Sequence, residues 1–286
     1  MRSFHHAQFP AERLAAERSC TVSVCLPTRE EAATVGGIVD ALVGLREAGV
    51  VDQVLVVDAG SADGTAEIAR RHGAEVHSQP ALLPQFGPVL GKGDALWRAL
   101  TVATGEVVCF LDADSEDFGP HFACGVLGPL LCHDGIDFVK AFYRRPFKVG
   151  GVAEPEGGGR VTELTARPLL KLLYPELASV RQPLAGEVAA RRSLFERLPF
   201  VTGYGVEIAQ LIDAYREAGP AALAQVDLDV RQNRHQPLRD LGPMADAVLA
   251  AVAERLVREG RLGADELERA PGFVERPPLV SLRAAA

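Results

Sequence analysis

The run Val107-Val108-Cys109-Phe110-Leu111, which ends at Asp112-Ala113-Asp114, restricts the fold more than any other stretch. Apolar residues in series, without polar alternation, form a strand covered on both faces, as in a parallel sheet with helices on either side. Residues 21–26 and 54–57 read the same way, and Pro27 is expected to end the first of them. Helices are expected over 33–44, where Val35, Ile38, Val39 and Leu42 recur at helical spacing, and over 66–72. A third short strand begins near Val76, and strands alternating with helices indicate an α/β, doubly wound, mostly parallel sheet.

The acids fall at the carboxyl end of the central strand, and in an open α/β sheet ligands bind beyond that end. Two carboxylates are hard oxygen donors suited to Mg²⁺ or Mn²⁺, ions that typically bridge carboxylates to substrate phosphates. A diphosphate-bearing substrate is the expectation, although an isolated Asp-x-Asp also caps helices. Gly91-Lys92-Gly93 opens a helix at 94–100, where a lysine, free amides and the helix dipole suit a pyrophosphate oxygen. It lacks the spacing of a Walker loop. Gly159-Arg160-Val161-Thr162, a glycine turn with an arginine at a helix start, offers a second anion seat. A helix is expected at 121–132, a strand at 138–145 with one face toward the site, a helix at 208–217 and a last strand at 224–230. The basic loop after it, 231–237, contains His235 as a potential third metal ligand.

At 286 residues, 48% of them hydrophobic, the chain suits one large α/β domain or one domain with a smaller appendage. A net charge of -8 gives no basic footprint for nucleic acid. No stretch approaches the roughly 18 apolar residues of a membrane span, so a cytoplasmic protein is expected. Residues 1–19 read as an N-terminal arm or short helix, without the apolar core of a signal peptide. Cys20, Cys25, Cys109, Cys124 and Cys132 contain no Cys-x-x-Cys and read as reduced thiols. Residues 243–259 form an amphipathic helix with Val248, Leu249, Val252 and Leu256 on one face, for packing or subunit contact, and the tail from Pro271 reads as irregular.

Leu26-Pro27-Thr28-Arg29-Glu30-Glu31, Val57-Asp58-Ala59-Gly60-Ser61, Gly91-Lys92-Gly93 and Asp112-Ala113-Asp114 together resemble the nucleotide-sugar half of GT-A glycosyltransferases. Phe142-Tyr143-Arg144-Arg145-Pro146, Gly157-Gly158-Gly159-Arg160-Val161-Thr162-Glu163-Leu164, Gln182-Pro183-Leu184 and Gly203-Tyr204-Gly205-Val206-Glu207-Ile208 narrow the resemblance to glucosyl- and mannosyl-3-phosphoglycerate synthases. It covers roughly residues 21–240 and implies a GT-A fold with a C-terminal acceptor-binding part and a terminal helix. The implied division is an arm at 1–19, a nucleotide-sugar half at 20–118, an acceptor half at 119–240 and a helix with tail at 241–286.

The resemblance implies transfer of glucose or mannose from a UDP- or GDP-linked sugar to 3-phosphoglycerate, with retention and a divalent metal, by a homodimer. The product would be a compatible-solute or polysaccharide precursor. Carried over by position, Pro27, Thr28, Glu31, Asp58, Ala59 and Ala113 would line the nucleotide, and Asp112 and Asp114 would hold the metal. Lys92 would face the diphosphate, Leu184, Tyr204 and Glu207 the sugar, and Gly159, Arg160, Thr162 and Asn233 the acceptor. Asp114, Lys92 and Leu184 are the implied catalytic positions. Two positions depart from the family: Asn233 stands where it tends to have a metal-binding histidine, with His235 two residues on, so that either His235 takes over the metal through a shifted loop or Asn233 supplies a weaker oxygen ligand, and Ala59 replaces a serine. A sugar-phosphate nucleotidyltransferase is the main rival, but its glycine-rich, arginine-bearing loop is missing after the first strand.

Overall fold

The computed structural model describes residues 1–149, 152–154, 158–232, 237–266 and 273–283. Its elements begin with β1 (Arg2–His5), α1 (Ala11–Glu17), β2 (Val22–Thr28), α2 (Val35–Glu47), β3 (Gln53–Asp58), α3 (Thr65–Arg71) and β4 (Glu75–Ser78). There follow α4 (Lys92–Ala99), β5 (Val107–Phe110), α5 (Pro120–Cys132), β6 (Phe138–Arg144) and a small hairpin of β7 (Phe147–Val149) and β8 (Val152–Glu154). A π-helical turn over Thr162–Ala166 runs into α6 (Arg167–Leu173), then β9 (Val188–Arg191), α7 (Arg192–Arg197), β10 (Phe200–Val201) and α8 (Val206–Ala218). The last elements are β11 (Leu223–Val230), α9 (Leu238–Arg258), β12 (Glu275–Arg276) and α10 (Leu279–Arg283).

Eight strands make the main sheet in the order β1-β11-β6-β9-β5-β2-β3-β4. Every pairing in it is parallel except the two made by β9, which runs antiparallel to both β5 and β6. The continuous apolar runs divide between two faces, because successive side chains point to opposite sides of a strand. Cys25, Leu55, Val57, Val108 and Phe110 join the core under α4 and α8. Val24, Leu26, Val54, Val56, Val107 and Cys109 join the core under α2 and α5. Both faces are thus sealed, which is why no alternation survives in the sequence.

β2 does not stop at Pro27, as the sequence reading expected. The β5 side of its ladder ends at Cys25, while the β3 side continues to Thr28, so Pro27 lies where no donor toward β5 is needed. Residues 1–19 are more than an arm. β1 pairs parallel with β11 at the sheet edge, and Phe9 and Leu14 are buried. His5 Nε2 and His6 Nε2 lie 3.3 and 2.6 Å from the Asp229 carboxylate and pin that edge.

The tail is likewise ordered over 273–283. β12 pairs with β10, and the buried Arg276 holds both oxygens of the fully buried Asp94 at 2.8 Å. Trp97 Nε1 donates to the Pro277 carbonyl at 2.8 Å, so the C-terminal segment braces α4. α9 turns Val248, Val252 and Leu256 inward and packs on α8, whereas Leu249 is 46% exposed and lies off that face. All five cysteines are free thiols, with Cys25, Cys109 and Cys124 buried. Among the described residues no helix is long and apolar enough to cross a membrane.

Candidate active site

Parallel strands deliver their carboxyl ends to one edge of the sheet, and the chemistry gathers there. Thr28 ends β2, Asp58 ends β3, Asp112 and Asp114 follow β5, Arg145 follows β6 and Arg231 follows β11. Because β9 is antiparallel, it is its start that reaches this edge, bringing Glu187.

Arg231 is the centre of the arrangement. Its guanidinium, with no side-chain exposure, reaches Glu187 Oε1 at 2.8 Å, Asp112 Oδ2 at 3.1 Å and Asp114 Oδ1 at 2.5 Å. It also donates to the Tyr143 hydroxyl at 2.9 Å and to Ser115 Oγ at 2.9 Å. Tyr143 in turn donates to Glu187 Oε2 at 2.8 Å. Burial pushes the Tyr143 phenol up to about 12, against the nearby Arg145 and Arg231 charges. Burial also opposes the charge on Asp112, yet Lys92 and Arg231 outweigh it and hold that carboxyl well below the usual range.

Lys92 lies at the start of α4, which Gly93 brings close to β10: a Cβ at Gly93 would stand 1.7 Å from the Val201 carbonyl oxygen. The Lys92 ammonium pairs with Asp112 and, at 2.9 Å, with Glu207 at the start of α8. Burial works against its charge, but the two carboxylates raise its pKa. Gly186 makes room for the same cluster, since a Cβ there would stand 2.1 Å from Asp112 Oδ2.

A cleft of about 530 Å³ opens beside this cluster. Glu31, Asp114, Gly159, Arg160, Thr162 and Leu184, all expected from the sequence, line it together. Gly159 has φ +72°, a left-handed conformation, and its carbonyl accepts the Glu163 N–H at 3.0 Å. The turn leads into the π-helical stretch, a distortion that recurs at functional sites. Arg145 also lines the cleft, as do Leu241 and Met244 from α9.

Other expected residues build the loops. Both oxygens of Asp58 are engaged: Oδ1 accepts from Thr28 Oγ1 at 3.0 Å and Ser61 Oγ at 2.6 Å, and Oδ2 accepts two backbone N–H groups at 2.9 Å. Ala59 N–H donates to the Thr28 carbonyl at 3.0 Å, and Pro27 pairs with Val57 just before this turn. The Ala113 carbonyl accepts from Thr34 Oγ1 at 2.6 Å, tying the Asp-x-Asp loop to α2. Tyr204 is 51% exposed on the turn before α8. Asn233 and His235 lie outside the described residues. Sequence reasoning gave no role to Arg231, Tyr143 or Lys140, and reached Glu187 only as part of the turn-rich 182–187 stretch, which could present a carboxylate to a sugar or be a structural turn; for Arg231 the one available signal was an arginine directly after a buried strand.

Asp112 and Asp114 suit a divalent ion. They are hard oxygen donors at the strand end, Gly186 leaves the space in which Asp112 sits, and the Asp114 side chain is 40% exposed toward the cleft.

Residues 23–149 match the glycosyl transferase family 2 model. Glucosyl-3-phosphoglycerate synthase of Mycolicibacterium smegmatis is 44% identical over 96% of this chain and 93% of its own. The crystal structure of mannosyl-3-phosphoglycerate synthase from Rubrobacter xylanophilus superimposes with a TM-score of 0.89, at 49% identity over 98% of this chain and 97% of that one. A crystal structure of the Mycobacterium tuberculosis glucosyl-3-phosphoglycerate synthase, in complex with Mn²⁺, UDP-glucose and phosphoglyceric acid, gives a TM-score of 0.83 at 41% identity, covering 99% of both chains. With its GT-A fold and this likeness along nearly its whole length, the chain belongs to the glucosyl- and mannosyl-3-phosphoglycerate synthase family and is a glycosyltransferase.

Proposed function

We propose that the chain moves glucose or mannose, with retention, from a UDP- or GDP-linked sugar to the 2-hydroxyl of 3-phosphoglycerate, with Mg²⁺ or Mn²⁺ as cofactor. One observation carries this reading: Asp114, the proposed metal carboxylate, and the Gly159–Arg160–Thr162 turn, the proposed anion seat, line the same cleft. The family relative bound to Mn²⁺, UDP-glucose and phosphoglyceric acid supports it. Asp112 and Asp114 would hold the ion, which when bound neutralises charge gathering on the departing diphosphate.

The chain's own residues supply the rest. Lys92, freed from one of its two carboxylates, donates to a diphosphate oxygen, an electrostatic contribution that strengthens as the leaving group gains charge. Pro27, Thr28, Glu31, Asp58, Ala59 and Ala113 shape the nucleotide seat. Leu184, Tyr204 and Glu207 bound the sugar. Gly159, Arg160 and Thr162, with Asn233, take the acceptor's anionic groups, and the amides that begin the 160–173 helix favour an anion there. His235 is the proposed third ligand of the metal. Retention follows the family, with the acceptor attacking from the leaving-group side and no protein nucleophile assigned. A homodimer belongs to the same reading and rests on the family resemblance.

The test is product formation from 3-phosphoglycerate with UDP-glucose, GDP-glucose and GDP-mannose, each with Mg²⁺ and with chelator. Metal-dependent release of nucleoside diphosphate that requires 3-phosphoglycerate is expected and ranks the donors. No turnover with any of them, despite nucleotide binding, overturns the acceptor assignment.

A further inference from the structure

Lys140 is fully buried, and its ammonium has no hydrogen-bond partner among the described residues. An unpaired buried charge is costly, so such a group persists only where something offsets it in another state of the molecule. Its direction follows from register. Phe138 belongs to the core under α8, and Lys140, two residues further along β6, points to the same face. Val188, its cross-strand neighbour on β9, lies in that core too. Glu207 lies in the first turn of α8, whose Val206 and Ile208 belong to the same core.

Burial lowers the Lys140 pKa to about 8; Glu207 is the acid that acts on it most, Lys92 adds to the lowering, and Glu187 and Asp112 oppose it. Glu207 is 2.9 Å from Lys92 but makes no ion pair with Lys140. One carboxylate thus has two cations in its neighbourhood and uses only one.

We propose that Lys140 is a positioning residue, the alternate counter-ion of Glu207: when Lys92 turns from Glu207 to the donor diphosphate, Lys140 pairs with that carboxylate and keeps it ionised and aimed at the sugar. This rests on the donor reading above. It accounts for a buried ammonium that has no hydrogen-bond partner among the described residues, and it assigns Lys140 to recognition of the sugar, since the proposed nucleotide and diphosphate contacts are made by other residues.

Lys140→Met separates the possibilities by calorimetric titration of UDP-glucose and of UDP, each with Mn²⁺, against wild type and variant; GDP-mannose and GDP serve as the parallel pair. UDP affinity should be unchanged, UDP-glucose affinity about tenfold weaker and kcat reduced, while the ligand-free melting temperature does not fall. Glu207→Gln should produce the same loss, and the double variant should lose no more than either alone. UDP-glucose bound as tightly by Lys140→Met as by wild type overturns the proposal. So does an equal weakening of UDP and UDP-glucose with a lowered melting temperature, which is a structural role. Should Lys140→Met not fold, Lys140→Gln is measured by the same criteria. Wild type that binds neither donor overturns the donor reading and this proposal together.

Discussion

Arg231 and Glu187 form an ion pair sealed from solvent, Nη1 to Oε1 at 2.8 Å, with side-chain exposures of 0% and 1%. They stand 44 residues apart in sequence (231 − 187) and meet because β11 and the antiparallel β9 bring opposite termini to one edge of the sheet. Removing one member of a buried pair leaves the other uncompensated, typically at about 3–5 kcal/mol. Arg231→Met should cost an amount of that order in chemical denaturation. It should also free Asp112 and Asp114 to repel each other, which a fall in donor-free stability at neutral pH, partly recovered by Mn²⁺, would report. A variant as stable as wild type contradicts the assignment of Arg231 as the centre of the cluster.

Asp114 differs from Asp112 in being 40% exposed toward the cleft rather than 20%, so its replacement would remove the proposed metal ligand without opening the core. Asp114→Asn should keep the melting temperature within about 2 °C and weaken Mn²⁺ affinity by more than the roughly 10–100-fold of outer-shell changes. Titration of Mn²⁺ by electron paramagnetic resonance measures it.

Gly93 and Gly186 are constrained by what a methyl group would strike, backbone in one case and the Asp112 carboxylate in the other. Gly93→Ala should be the more damaging to stability, because the Val201 carbonyl cannot move without shifting β10. Gly186→Ala should instead displace Asp112 and reduce turnover at least about tenfold with a smaller loss of stability. Paired melting and rate measurements on the two variants check the order.

Arg276 holds Asp94 from the far end of the chain, and Asp94 sits two residues after Lys92. Arg276→Ala leaves Asp94 fully buried with Arg98 as its remaining charged partner. A loss of about 2–4 kcal/mol is expected, together with a raised KM for the nucleotide sugar as the start of α4 loosens. Unchanged kinetics would separate the tail from the site.

Lys140 gives a pH signature. Its folded pKa of about 8 lies below the ordinary 10.5, so between those values the unfolded chain holds a proton that the folded one has released. Stability conferred by Lys140 therefore rises as pH increases through that window, by up to about 3 kcal/mol, and below it the buried charge destabilises the fold. The difference between wild type and Lys140→Met, followed by urea denaturation from pH 7 to 10.5, should shrink as pH rises. A constant difference would contradict a depressed pKa.

The layered, mostly parallel sheet was legible in the residues alone, because Val107 to Leu111 and its sister runs have no polar face to offer water and must be covered on both sides. The sequence also pointed to the carboxyl end of that strand, where Asp112 and Asp114 lie, as the candidate site, and it marked Lys92, Arg160 and Thr162 as candidates by glycine turns at helix starts. Helix positions were legible from apolar spacing to within a few residues, as at α2, α5 and α8. Other features depend on contacts between distant parts of the chain. β9 has four residues between a turn and a helix, too few for a periodic signal, yet it reverses direction in the middle of the sheet and so delivers Glu187. β1 and β12 are ordered by pairing with distant strands rather than by local propensity. Arg231 and Lys140 read in sequence as a loop cation and a strand residue. Their surroundings come from burial and from charges contributed by other elements, and beyond an arginine placed directly after a buried strand no local pattern records either.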